Sequence, residues 1–203
     1  MSGCGCEIEI RDREQRRVLI ILLAINGMMF VAEFGLGILS ESTALIADSL
    51  DMLADAGVYG IGLYAVGRAA VHKIRAARWS GLFQILLGLG VLADILRRAI
   101  FGSEPESWMM MAVGAVALVA NVICLILIAR HREGEVHMRA SWIFSKNDVI
   151  ANLGIILGGV LVHLLDSRYP DILIGLAIVT LVIRGGLHIL QDARREQTNY
   201  DGT

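Results

Sequence analysis

Six stretches of the chain are almost purely apolar, and short charged segments separate them. The apolar runs are 18–39, 43–67, 80–100, 108–129, 141–165 and 171–190. Each is close to or above the roughly 20 residues that a helix needs to cross the hydrocarbon core of a bilayer. The pattern predicts an all-α membrane protein, a bundle of six transmembrane helices. Residues 1–17 are expected to form an N-terminal tail, 18–190 the membrane domain, and 191–203 a short tail with too little sequence for a core. The link 40–43, SEST, leaves room only for antiparallel neighbours. Ser42 or Thr43 is placed to cap the second helix.

Composition supports this reading. Hydrophobic residues make up 56% of the chain and charged ones 19%, which excludes an ordinary soluble domain. The net charge of −2 says little about partners, but the placement of the 18 basic residues says more. With six spans, both termini share one side. Arg11, Arg13, Arg16, Arg17, Arg68, Lys73, Arg75, Arg78, Arg130, Arg132, Arg139, Arg194 and Arg195 fall there. Arg97, Arg98 and Arg168 fall on the other. This bias predicts that both termini are cytoplasmic, in a bacterial inner (plasma) membrane. The basic clusters flank helices, so topology explains them and no nucleic-acid partner is expected. No cleavable signal is evident.

Candidate chemistry lies inside the apolar runs. The second run, TALIADSLDMLADAGVYGIGLYAVG, carries Asp48, Asp51 and Asp55 at spacings of three and four, hence on one helical face. A carboxylate in a bilayer costs roughly 3 kcal/mol on insertion scales. Three on one stripe need a cation, a water-filled cavity or protons, and a metal site inside the bundle answers that need. The first run adds Asn26 and Glu33. Glu33 either faces these aspartates or bonds a neighbouring helix. In the fifth run, Asp148 and Asn152 lie four apart, with Asn147 beside them. Lys146 and Arg184 are near enough to helix ends to snorkel.

Other polar groups have plainer readings. Asp94 is spaced to pair locally with Arg97 and Arg98. Trp108 suits a membrane interface, as does His163. Met109 and Met111 have no His or Cys beside them and suit packing rather than copper. Cys124 reads as packing. His72 and the segment 130–139, with His131, Glu133, Glu135 and His137, read as solvated loops. Cys4 and Cys6 form a Cys-x-Cys near the N-terminus, either a metal-capture element or incidental residues of a tail. No Ser/His/Asp arrangement or other nucleophile appears, so an enzyme is not expected.

These motifs resemble the cation diffusion facilitator family of divalent-metal transporters. LIADSLDMLADAG is similar to that family's ALLADAxHMLxD stretch, with Asp55 at the closing aspartate and Asp51 where zinc members carry His. HMRASWIFSKNDVIANLG is similar to MRAAxLHVLxDALGSVG, with Asp148 at the second aspartate and Phe144 where a further ligand stands. AEFGLGILSEST follows the first-span pattern. The resemblance implies metal/proton antiport out of the cytoplasm, with a divalent ion (Zn, Mn, Fe, Co or Cd) as substrate and no prosthetic group. It implies Asp51, Asp55 and Asp148 as ligands, with Asp48, Asn152, Asn147, Glu33 or water replacing the one lost at Phe144. An oxygen-rich site without imidazole shifts preference from zinc towards manganese, iron or cobalt. The chain is expected to be a short form without the cytoplasmic metal-binding domain that follows the sixth span. A homodimer is compatible with this scheme, but that domain cannot supply it. The rival reading is a membrane metal-binding or regulatory protein that does not transport.

Overall fold

The computed structural model describes residues 4–65, 70–129 and 136–201. It has six helices: α1 (Cys4–Leu39), α2 (Thr43–Ala65), α3 (Ala70–Phe101), α4 (Ser107–Ala129), α5 (Val136–Leu165) and α6 (Tyr169–Asp201). The expected all-α membrane bundle is therefore observed, with two differences at the ends. α1 begins well before residue 18, and α6 continues through the expected tail, where Thr198 Oγ1 bonds Arg194 O and His188 pairs with Asp192. Expectations for Arg68, for residues 130–135, and for the side chains of Cys4, Cys6, His72, His137 and Phe144 lie outside the described residues.

Among the described residues, five helices are long and apolar enough to cross a membrane: Arg16–Leu39, Ala77–Phe101, Ser107–Ala129, Ser145–Leu165 and Tyr169–Arg195. α2 fails that composition test because its three aspartates interrupt the apolar run. Its position supplies what composition does not. α2 packs against every other helix, so its polar face meets protein rather than lipid. Residues 42–50 are all buried, and the main core forms around Leu45, Ala47 and Leu50 with Ile155 of α5 and Val179 and Val182 of α6. The outer faces carry exposed Met28, Val31, Leu86, Val119 and Leu157, as a lipid-facing surface should. Trp108 is exposed and its ring lies 5.8 Å from that of His163. At the opposite end, the Lys146 ammonium lies 5.9 Å from the Trp142 ring. These groups suit the two interfaces.

The turn between α1 and α2 fixes their relation. Glu41 adopts a left-handed conformation, φ 51°. Ser42 N donates to Gly37 O at 3.0 Å and Glu41 N to Ile38 O at 3.3 Å, the Schellman pairing that closes a helix C-terminus. A non-glycine residue there costs about 1–2 kcal/mol, and outside contacts hold it. Arg98 donates to Glu41 O, while Glu104 N donates to the Glu41 carboxylate at 3.2 Å. Arg98 also bonds Asp94 at 2.6 Å, and Arg97 reaches the same carboxylate at 2.8 Å. The expected local ion pair is present and also ties α3 to the turn.

Ser42 is the expected cap: its Oγ accepts from Leu45 N at 3.2 Å. A second cap comes from α6. The fully buried Asp171 carboxylate accepts from Thr43 N (2.8 Å), Ala44 N (3.0 Å), Thr43 Oγ1 (2.7 Å) and Ser42 Oγ (2.6 Å). The free N–H groups and positive end of α2 favour such an anion. Gly175 makes the approach possible, because a Cβ there would stand 3.0 Å from Thr43 backbone. α3 and α6 also meet closely, with Gly81 and Gly186 each facing the other's carbonyl oxygen at 2.9 Å from a would-be Cβ.

Candidate metal centre

The site is built from three helix faces. On α2, Asp48, Asp51, Asp55 and Tyr59 follow at steps of three, four and four. Asp48, Asp55 and Tyr59 are buried and Asp51 is half-buried. On α5, Ser145, Asp148 and Asn152 follow at steps of three and four, all buried. α1 contributes Glu33, fully buried. These steps keep each set on one face.

The groups meet in two levels. Asp48 and Asp55 are two turns apart, about 10 Å along the helix axis. Nearer the α1–α2 turn, Asn152 Nδ2 donates to Asp48 Oδ2 at 3.0 Å. The Glu33 carboxyl faces that of Asp48, and neither Glu33 oxygen has a donor. Two turns deeper, the Asp55 and Asp148 carboxyls face each other. Tyr59 O–H donates to Asp55 Oδ2 at 3.1 Å and its oxygen lies 3.5 Å from Ser145 Oγ. Asp51 stands between the levels, within electrostatic reach of Asp48, Asp55 and Asp148.

Two expectations change. The candidate ligands form two facing pairs, with Asp48 still within electrostatic reach of Asp55 and Asp148. Among the described residues, no group of three His, Cys, Asp or Glu side chains has the spacing of a metal cage. The reason is depth: a face seven residues long is wider than one ion's coordination sphere, and α5 meets it at both levels while α1 meets it only at Asp48. Asn147 is exposed and takes no part. It follows Lys146 and precedes Asp148, and each helical step turns about 100° away from the site. Tyr59 and Ser145 were not anticipated. Their signal was present, one turn beyond Asp55 and one turn before Asp148, on the same faces.

Among the described residues, the groups acting on these carboxyls are other carboxyls, Tyr59 and Asn152, with no Lys or Arg among them. A buried charge is ordinarily paired. Carboxylates that face each other away from water are held by a shared cation, a proton or a metal ion.

Comparison with known proteins decides the family. The cation efflux transmembrane domain matches residues 19–196, from the first turns of the α1 span to the end of the α6 span. The chain belongs to the cation efflux family. Within that family it is 24% identical over 190 residues to a Bacillus velezensis protein named a cadmium, cobalt and zinc/H(+)-K(+) antiporter, covering 87% of this chain and 60% of that protein. It is 24% identical over 193 residues to the metal cation efflux system protein CzcD of Cupriavidus metallidurans, covering 86% and 61%. It is 25% identical over 198 residues to the zinc transporter ZitB of Escherichia coli, covering 91% and 63%. The chain thus spans about three fifths of the length of these cation efflux relatives.

Proposed function

We propose that this chain carries a divalent metal cation across the membrane in exchange for protons, exporting it from the cytoplasm. The observation that carries the reading is the facing pair Asp55 and Asp148, buried inside the bundle with no basic partner among the described residues. Such a pair needs a cation at all times. A metal ion fills the need when bound, and a proton fills it when the metal leaves, which couples the two flows. Glu33, Asp48 and Asn152 offer a second set of oxygens two turns along the same path. Asp51 lies between the two levels and is the candidate third ligand.

The names of the relatives support cadmium, cobalt and zinc as substrates. The oxygen-rich donor set also admits manganese and iron. The distribution of basic residues supports cytoplasmic termini. The α1–α2 turn, with Asp171 and Arg98 around it, then lies at the far side.

The test is transport into vesicles by the purified chain. A pH-sensitive dye and a metal-sensitive dye are enclosed together, and Zn²⁺, Cd²⁺, Co²⁺ or Mn²⁺ is added outside. Metal entry accompanied by proton exit is expected for at least one ion. Metal entry without a pH response would remove the antiport, and saturable binding without entry would favour a non-transporting regulator.

A further inference from the structure

A second group of polar side chains adjoins the carboxylate site from α1 and α4. Asn26, Asn121 and Cys124 are 2%, 1% and 1% exposed. Asn26 Nδ2 donates to Leu22 O at 3.0 Å and reaches Cys124 Sγ at 3.9 Å. Asn121 precedes Cys124 by one turn and shares its face. Asn26 Oδ1 and Asn121 Nδ2 have no partner. An orphaned buried polar atom costs about 1–3 kcal/mol, and lipid offers no water to relieve it.

The placement relates this group to Asp55. Asn26 lies 13 residues before Leu39, Asp55 12 after Thr43 and Asn121 14 after Ser107, measured from helix ends on one side of the bundle. At 1.5 Å per residue these three positions agree in depth to about 3 Å. Cys124 belongs to the same buried cluster as Tyr59, whose hydroxyl bonds Asp55. Cys124 is also within electrostatic reach of Asp55. A thiol, two amides with unused atoms and a carboxylate therefore border one region of the path.

We propose that Cys124, with Asn26 beside it, supplies a soft thiolate donor that takes the transported ion beside Asp55 and favours cadmium and zinc over manganese. The inference rests on the proposed transport of divalent cations. Thiolate is the donor that selects softer ions, while carboxylate and carbonyl oxygens suit harder ones. The ion replaces the thiol proton, which passes to water on the loading side as metal binds. Asn26 Oδ1 is a free acceptor that can ligate, and the Asn121 amide, at about the same depth and on the face of Cys124, can hold a bound water in place.

The experiment uses the full chain with Cys4→Ser and Cys6→Ser, which leaves Cys124 as the sole thiol. Cadmium binding is followed by calorimetry and by the ultraviolet charge-transfer absorption of a cadmium–thiolate bond. The band is expected to rise with site occupancy and to vanish in Cys124→Ser and in Cys124→Ala. The cadmium-to-manganese affinity ratio is expected to fall about tenfold or more in both, while Asn26→Ala is expected to weaken binding of both ions about tenfold, on the scale at which lost partners weaken metal sites. Cadmium binding and flux without the band, or an unchanged ratio, would overturn the inference while leaving transport intact. The amides would then be helix glue that bond each other after a small shift. Absence of binding by every divalent ion would overturn both readings.

Discussion

Asp148→Ala and Asp55→Ala are each expected to lower metal flux by at least about a hundredfold while leaving the protein folded. Loss of even an indirect partner costs metal affinity about 10- to 100-fold, and these are the two carboxyls that face each other inside the bundle. Removing either leaves the other without its facing partner and takes one negative charge from the set that holds the ion. Folding should survive for the same physical reason. The pair is a liability to the empty bundle, since like charges crowd a site that has no basic partner among the described residues. Function and stability pull in opposite directions here. The variants should melt in detergent at or above the wild-type temperature, and Asp55→Asn should do the same while keeping a polar atom near Tyr59. Proteoliposome flux and a melting curve on the same preparations check both halves. Flux within a few-fold of wild type in either alanine variant would remove the pair from the transport site.

Asp171→Ala should behave in the opposite way, as a loss of stability first. The carboxylate accepts two backbone and two hydroxyl hydrogen bonds across the α2–α6 contact. Hydrogen bonds to a charged group are worth about 1.5–3 kcal/mol each, and truncation would orphan Thr43 N and Ala44 N in a buried place. Not all four count in full, because Ser42 still caps Leu45. A net loss of about 3 kcal/mol or more is expected, a fall in melting temperature on the order of 10 °C. Asp171→Asn should fall between, since the amide oxygen can still accept while the charge that suits the helix terminus is gone. A melting temperature within about 2 °C of wild type for Asp171→Ala would mean that the α2 terminus finds other partners at no cost. The site carboxyls and Asp171 thus separate by sign: one set gives up stability for function, and the other holds the frame.

Much of this was legible because helices in lipid have few options. Five apolar runs had to be spans, and the short 40–43 link had to make α1 and α2 neighbours. The aspartate stripe, its partners on α5 and the Asp94–Arg98 pair all followed from steps of three and four. Depth was not legible. Sequence gives the position of Asp48 and Asp55 along α2, but not the heights at which Glu33 and Asn152 or Asp148 meet them. One expected cluster is therefore two facing pairs. Asn147 was included for its nearness in sequence, although one helical step turns it out of the site. Cys124 was read as packing because its neighbours in sequence are apolar. Its polar neighbour, Asn26, comes from another helix 98 residues away.

The turn at Glu41 also bears on how the protein enters a membrane during synthesis. On insertion scales a central aspartate opposes entry by about 3 kcal/mol, and each Leu, Ile or Val favours it by about 0.5. The seven such residues of α2 do not offset three aspartates on that scale. α1 leaves the ribosome first and is apolar enough to be accepted. The Schellman closure joins α2 to it with no slack, so the two are expected to cross the translocon as one hairpin. A strained residue at the far tip of that hairpin is what lets an acidic helix be delivered to the middle of a bilayer.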